Sequence, residues 1–308
     1  MKNNSNPLVS VCMITYNHEN YIKQAIEGVL MQECNFNIEL IIANDKSTDR
    51  TDEEIVNLIN THSRSIRITY FSHKNNLGMI PNFIFSLNKC KGKYIAMCEG
   101  DDFWTDPYKL QKQFDFLESN DDYVLSFHDA MENNNKNIVY NNKGNDLCSE
   151  DLILNSHLHT STAFFRWNKE ISKKTKGITV TNGDTALYSI LGHFGKGKYI
   201  KDITPSIYRI HDGGVWSGKT LDFKLSSAIE TYKWILNNSD IKYKNALREK
   251  ILKKSVSLAV VQNSSKNWKS LIKNLSAIFG LSFKTGKFRY LLYLIKLQTT
   301  GANITRVP

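Results

Sequence analysis

Continuous apolar runs of strand length, each ending in a cluster of polar residues, set the rhythm of the first hundred positions. Leu8-Val9-Ser10-Val11-Cys12-Met13-Ile14 is the first, and it ends in Thr15-Tyr16-Asn17-His18-Glu19-Asn20. A run with so little polar alternation predicts a parallel strand buried on both faces. Over residues 21–32 the period changes, and Ile22, Ala25, Ile26, Val29 and Leu30 fall at helical spacing. The alternation then repeats. Residues 38–43 predict a second strand running into a polar stretch, where Ser47 or Thr48 is placed to cap a helix carrying Ile55, Leu58 and Ile59. Residues 66–71 predict a third strand, 80–89 a helix, and 94–98 a fourth strand. This β-α-β-α-β-α-β order predicts an α/β fold, a mostly parallel, Rossmann-like sheet flanked by helices. All its polar loops should gather on one edge, where open α/β sheets bind ligands.

Further along, residues 106–119 predict a helix with Pro107 in its first turn, and 123–128 another strand. Residues 132–149 are Asn-rich and poor in apolar side chains, which predicts a mobile surface loop. A helical start follows at 152, then an alternating strand over 160–166. Gly183-Asp184 opens a helix, and short strands at 199–200 and 206–209 end in His211-Asp212-Gly213-Gly214-Val215-Trp216. From Thr220 the pattern is helical, with Lys on the polar faces. The chain is therefore divided into a sheet domain at 1–218 and a basic C-terminal helical extension at 219–308. Residues 268–297 interleave Leu271, Ile272, Ile278 and Phe279 with Lys269, Lys273 and Lys284, a basic amphipathic texture too interrupted to span a bilayer.

Composition narrows the classes. With 308 residues, 41% of them hydrophobic, the chain has material for an ordinary core and is neither disordered nor fibrous. A formal charge of +10 admits nucleic acid, anionic lipid or phosphate-bearing substrates as partners. The charge is uneven, with carboxylates in the first half and Lys and Arg thickening after Lys169. The five cysteines show no C-x-x-C or zinc spacing, and Cys12 and Cys98 lie inside apolar runs, as free thiols do in a reducing cytoplasm. The N-terminus shows no signal-peptide apolar core, and no stretch of 18 apolar residues occurs, so a cytoplasmic location is expected. G-x-G-x-x-G after the first strand and G-x-x-x-x-G-K-[ST] are both absent.

The strongest chemistry lies at YIAMCEGDDFWTDP, residues 94–107. The fourth strand breaks at Glu99-Gly100 into adjacent carboxylates, Asp101 and Asp102. Carboxylates crowded at a strand end repel one another unless a cation sits among them, and a hard divalent ion is the usual answer. Taken alone the segment is also an ordinary acidic turn.

Three segments, VSVCMITYNHENYIKQAI, IELIIANDKSTDRT and YIAMCEGDDFWTDPYKLQKQ, together resemble the family 2 glycosyltransferases, inverting enzymes of the GT-A fold. A fourth, SIYRIHDGGVWSG, is similar to a late motif of one bacterial subset. The resemblance covers residues 8–217. It implies that Thr15, Tyr16 and Asn17 line the nucleotide site and that Asp45 reads the base. Glu99 and Asp101 fill the acidic-x-acidic motif that binds the nucleotide-sugar, and Asp101, Asp102 and His211 hold Mn²⁺ or Mg²⁺. Asp184 falls where the family places its catalytic base. Asn44 stands where an Asp is common, Lys46 where Gly is common, and Glu99 where Asp is common. The Q-x-x-R-W pattern of processive synthases is missing, since Arg166-Trp167 lacks its context.

The implied activity is metal-dependent, inverting transfer of one sugar from a nucleotide-diphosphate donor, most often a UDP-sugar, to a glycan or lipid-linked hydroxyl acceptor. Surface polysaccharide or glycolipid assembly is the setting it suggests. From the residues alone, Asp45 and Asp184 also fit helix caps, His211 a hydrogen-bonded turn, and Trp104 and Trp216 either sugar platforms or loop packing. His18, His73 and His128 read as structural or exposed. The basic helices fit peripheral contact with the inner membrane face or a solvated surface. A sugar nucleotidyltransferase should carry a Gly-rich basic loop after the first strand, which TYNHEN is not. A nucleic-acid-binding module should interleave basic and aromatic residues on one surface, whereas the conspicuous cluster is acidic, so no nucleic-acid partner is expected.

Overall fold

The computed structural model describes residues 7–61, 68–134, 137–139, 144–155, 158–216 and 218–300. They fall into two compact units, one drawn from Met1–Thr179 and Gly183–Gly213, the other from Val180–Asn182 and Gly214–Pro308.

The first unit begins with strict alternation: β1 (Val9–Thr15), α1 (Ile22–Leu30), β2 (Ile38–Asn44), α2 (Thr51–Thr61), β3 (Ile68–Ser72), α3 (Met79–Lys89) and β4 (Tyr94–Met97). There follow α4 (Lys109–Glu118), β5 (Tyr123–Phe127), β6 (Ala130–Glu132), β7 (Ile138–Val139), α5 (Ser149–Leu154), β8 (Phe164–Arg166), α6 (Lys169–Thr175), α7 (Gly183–Leu191), β9 (Lys196–Tyr199) and β10 (Ser206–Tyr208). Seven strands form the main sheet in the order β3-β2-β1-β4-β8-β5-β9. It is the mostly parallel sheet flanked by helices that the apolar runs predict; β8 alone runs antiparallel, between β4 and β5. A second sheet is built from β10, β6 and β7.

Burial on both faces explains the uninterrupted apolar strands. Val9, Val11 and Met13 of β1 join Ile22, Ala25 and Ile26 of α1 in one core cluster. Ser10 and Cys12 face the other side and are equally buried, Cys12 against Ser86 of α3 at 3.1 Å. The register sets Thr15 beside Asn44 and Cys12 beside Met97, so the carboxyl ends of β1, β2 and β4 open onto one edge.

Several local expectations are corrected. The polar 132–149 stretch is not simply a loop, because β7 pairs with β6 and β6 pairs in turn with β10. The mobile character expected of residues 135–136 and 140–143 lies outside the described residues. Thr160–Thr162 is a single 3-10 turn, with the strand confined to Phe164–Arg166. Neither Ser47 nor Thr48 caps α2. Asp49 does so, its carboxylate accepting from the Thr51 N–H at 3.0 Å and from the Thr51 hydroxyl at 2.6 Å.

The second unit is helical: α8 (Leu221–Asn238), α9 (Lys244–Ser264), α10 (Trp268–Thr285) and α11 (Arg289–Thr300). Thr220 caps α8 and Asn267 caps α10, while Gly286 closes α10 in the left-handed conformation at φ +68°. Leu252, Val256 and Ala259 of α9 pack with Leu271 and Ile278 of α10 and Tyr290 and Leu294 of α11. Among the described residues no helix is long and apolar enough to cross a membrane.

One glycine in the sheet edge is a packing requirement. A Cβ on Gly100 would lie 2.6 Å from Thr15 Oγ1 and 2.8 Å from Thr15 Cβ, so only hydrogen fits where the turn after β4 presses on the end of β1. Gly100→Ala should therefore lower unfolding stability by about 1–3 kcal/mol, measured from urea midpoints at constant m-value. An unchanged midpoint would show that this contact does not hold the turn.

Candidate active site

The acidic turn leaves β4 locked to the end of β1. The Cys98 N–H donates to the Cys12 carbonyl at 3.1 Å, and the Gly100 N–H to the Ile14 carbonyl at 2.9 Å. On its other side, Phe103 exchanges backbone bonds with Ile207 of β10, at 3.2 and 2.8 Å. The turn is thus clamped between two sheets, and Asp101 and Asp102 project where their strand stops.

Two side-chain groups converge there. Glu99, Asp101 and Asp102 each present a carboxylate oxygen, and the three lie within 4.8 Å of one another; His18, Asp101 and His211 meet the same description. Asp101 Oδ2 lies 3.2 Å from His211 Nε2 and 3.6 Å from His18 Nε2. Asp102 is fully buried, accepts the Arg209 N–H at 3.0 Å, and lies 3.6 Å from His159 Nε2. The Thr160 hydroxyl donates to Glu99 Oε2 at 2.6 Å. The Arg209 guanidinium donates to the Asp101 carbonyl at 2.6 Å and to the Gln24 side chain, and it stacks 4.3 Å over Phe103.

Burial and mutual repulsion govern the protonation of this cluster. Burial, then the Asp101 charge, push Glu99 up to about 8 against the opposing Thr160 bond. Burial raises Asp102 well above the ordinary carboxyl value, with Asp101 and Glu99 adding to the rise. Burial also works to raise Asp101, but the His211 hydrogen bond and the His18 charge outweigh it and hold that group below the usual range. His18 is lowered by burial in spite of Asp101, which favours the neutral imidazole that a metal requires. Crowded carboxylates with imidazole nitrogens beside them suit a divalent ion such as Mn²⁺, and the carboxylates alone suit Mg²⁺. The residues therefore fit a divalent cation.

Thr15, Tyr16 and Asn17 all lie in the segment that ends β1, next to this cluster. The Thr15 hydroxyl lies 3.2 Å from His18 Nδ1, Tyr16 is exposed, and Asn17 adopts φ +57°. The loops after β1 and β2 are laced together. Asn17 N–H donates to Ser47 Oγ at 2.9 Å, His18 N–H to Thr51 Oγ1 at 2.7 Å and Glu19 N–H to Asp49 Oδ2 at 3.0 Å. In return Thr48 N–H donates to Asn17 Oδ1 at 2.8 Å, and Arg50 N–H to Glu19 Oε2 at 3.0 Å. Asn44 accepts from both the N–H and hydroxyl of Ser47, and Lys46 sits at φ +62°, the backbone region that a glycine occupies freely. Asp45 is buried, and its two carboxylate oxygens accept the Leu77 and Gly78 N–H groups at 2.7 and 2.9 Å, tying down the approach to α3.

Asp184 stands in the first turn of α7, its Oδ1 accepting the Thr185 N–H at 2.7 Å. It lies outside the converging carboxylates, yet close enough that its charge contributes to raising Glu99. Burial raises Asp184 itself. One turn on, the fully buried Tyr188 hydroxyl has no hydrogen-bond partner among the described residues, and its rise by burial is reinforced by Asp184 and Glu99.

Other expectations change. Trp104 is no sugar platform: it is 2% exposed and its indole N–H donates to the Ser161 carbonyl at 2.8 Å. His18, read from the sequence as structural or exposed, belongs to the Asp101 cluster. His73 lies 2.9 Å from the Asn82 side chain, and His128 is buried. Arg209, His159 and Thr160 surround the acidic turn without having been singled out. Arg209 lay within the quoted SIYRIHDGGVWSG segment, two residues before His211, and that was its available signal. His159 and Thr160 had none.

Comparison with known proteins places this geometry in context. The profile described as glycosyl transferase family 2 matches residues 10–184. An uncharacterised protein of Mycobacterium tuberculosis is 30% identical over 225 residues, covering 70% of this chain but 62% of that relative, less than two thirds of its length. A protein of Methanocaldococcus jannaschii described as an uncharacterised glycosyltransferase is 36% identical over 122 residues, 39% of this chain and 41% of its own. Among solved structures, S. aureus TarS 1-349 in complex with UDP has a TM-score of 0.65 at 14% identity, covering 89% of this chain and 80% of that one. The mannosyltransferase PcManGT from Pyrobaculum calidifontis, in complex with GDP-Man and Mn²⁺, has a TM-score of 0.62 at 13% identity, covering 97% and 89%. At these identities the structural likeness is one of fold, the GT-A architecture.

The raised Glu99 carboxyl has a measurable consequence. Between its ordinary 4.5 and about 8, the folded metal-free protein keeps a proton that the unfolded chain has lost. This group's contribution to stability therefore falls as pH rises through that window. A bound cation must displace the proton, so metal affinity rises with pH, by about tenfold per unit for each proton released. The gain in thermal midpoint on adding Mn²⁺ should be larger at pH 8 than at pH 6, and Glu99→Gln should flatten that difference. Equal gains at both values would remove Glu99 from the ligand set.

Proposed function

This chain belongs to glycosyl transferase family 2, and on that premise we propose that it moves one sugar, with inversion, from a nucleotide-diphosphate donor to a hydroxyl acceptor. The observation that carries the proposal is the convergence of Glu99, Asp101 and Asp102 with His18 and His211 at the carboxyl edge of the sheet, with Asp184 recessed beside them. A nucleotide-sugar needs such a place for its diphosphate, and a separate carboxylate for the acceptor.

In this reading the laced loops after β1 and β2 hold the nucleoside, with Tyr16 exposed to meet it and Asp45 fixing the loop wall. A UDP-sugar is the donor proposed. Asp101, Asp102 and His211, joined by Glu99 and His18, would hold the divalent ion. When bound, that ion offsets the charge gathering on the diphosphate as it leaves. Arg209 positions Asp101 through its backbone carbonyl and Asp102 through its carboxylate. The acceptor hydroxyl attacks the anomeric carbon while Asp184 takes its proton, a role suited to a carboxylate made more basic by burial. The bond from that carbon to the diphosphate oxygen breaks, and the nucleoside diphosphate departs with the electron pair. A direct displacement of this kind inverts the anomeric centre. The acceptor proposed is a glycan or lipid-linked hydroxyl, in surface polysaccharide or glycolipid assembly.

Calorimetric titration with UDP, GDP and dTDP, with and without Mn²⁺, tests the donor half. One nucleotide should bind in a metal-dependent way, and Asp101→Asn should weaken that binding at least about tenfold, as losing a charged ligand contact does. Failure of all three to bind would sink the donor assignment. The catalytic half is read from nucleoside diphosphate release by donor-saturated enzyme. Asp184→Asn should slow release by about 10²–10⁴-fold with nucleotide affinity unchanged. Lost affinity with normal turnover at saturation would assign Asp184 to binding instead.

A further inference from the structure

Helix α10 is apolar on two sides. Its inner side is buried: Leu271 and Ile278 pack into the core formed with α9 and α11. Its outer side is not. Trp268, Ile272, Phe279 and Phe283 are 55 to 68% exposed, and Phe288 and Leu292 continue the exposure beyond the helix. At about 100° per residue, Trp268, Ile272, Phe279 and Phe283 fall within an arc of about 60°. The rings are clustered, Phe279 lying 4.8 Å from Phe283, and Phe283 5.1 Å from Phe288. Single exposed apolar residues need no explanation, but a contiguous aromatic stripe on a helix already anchored by its other side does.

Charge identifies the occupant. On the same helical wheel Lys269, Lys273 and Lys284 line the arc next to the apolar stripe, away from the buried side. No Asp or Glu follows Glu249 in the chain. Glu249 is already met by Lys253, Lys287 and Arg289. Among the described residues no carboxylate pairs with Lys269, Lys273 or Lys284. A second copy of the chain docked on this stripe would bring like-charged lysines together, and an uncharged apolar partner would leave them unanswered. A bilayer with anionic headgroups meets both needs, with phosphates against the lysines and the headgroup boundary against the indole and phenyl rings.

We infer that the outward stripe of α10 docks on an anionic lipid surface, lying in the headgroup region without crossing it. The inference stands on the helical unit alone. It is tied to the transferase reading only in that a lipid-linked acceptor would give the docking a purpose.

Co-sedimentation of the full chain with phosphatidylcholine vesicles, with and without phosphatidylglycerol, tests it. The chain should pellet with the anionic vesicles at low salt and be released as salt is raised. Replacing Phe279 and Phe283 together by Ser should lower partitioning at least about tenfold, with a cooperative thermal melt retained because both side chains are more than half exposed and lie outside the α9–α10–α11 core. Lys269→Glu with Lys273→Glu should do the same. Equal binding to neutral and anionic vesicles, or undiminished binding by both variants, overturns the inference. So does a concentration-dependent dimer, seen by sedimentation equilibrium, that the Phe variant abolishes, since the stripe would then be covered by a second copy. Titrating the same preparations with UDP and Mn²⁺ separates a failed lipid surface from a failed donor site.

Discussion

Asp101 and Asp102 are consecutive carboxylates drawn out of water at the end of a buried strand, with Glu99 one glycine away, and like charge at that spacing is unfavourable unless it is answered. The surrounding architecture supplies the answers from distant parts of the chain. His18 comes from the loop after β1, Thr160 from a single 3-10 turn before β8, and Arg209 and His211 from the segment after β10. The small second sheet has a clear task in this light. By pairing Ile207 with Phe103, it delivers a guanidinium and a backbone N–H to the back of the acidic turn. Even so the cluster is left with Glu99 and Asp102 protonated more readily than free carboxylates, a residual charge deficit that a cation would complete.

What could be read in the chain follows the range of the forces involved. β1, β2, β4 and α1 were legible because burial on both faces, or on one helical stripe, leaves its mark within a dozen neighbouring residues. β6 and β7 were not. They are two or three residues long, and β7 leans on β6, which itself pairs with β10 more than seventy positions away, so their own composition looks like loop. The candidate site divides along the same line. Glu99, Asp101 and Asp102 fall within four consecutive positions, and the structure brings His211 to them. His18 escaped because a histidine in a polar loop carries no pattern of its own, and Arg209 because its one signal was its place two residues before His211; the meaning of both lies in what they face. Asp45 shows the same limit, since its carboxylate answers two N–H groups that arrive thirty-odd residues later.

Charge is also sorted along the chain. The converging carboxylates sit in the sheet unit, while the helical unit runs from Glu249 to its end without one. One part of the protein is thereby suited to gather a cation and the other to meet an anionic surface, a division that net charge alone conceals.

The lacing between the loops after β1 and β2 bears on how such a protein can vary. Five backbone N–H groups in those loops are each answered by a side chain from the opposite loop: Asn17, His18 and Glu19 by residues near Ser47–Thr51, and Thr48 and Arg50 by Asn17 and Glu19. Neither loop owns its shape. A substitution at Asn17 strips a partner from Thr48, and one at Asp49 strips a partner from Glu19. Drift in this part of the molecule is therefore paired: a tolerated change in one loop calls for a matched change in the other, with the intermediate steps carrying unsatisfied backbone.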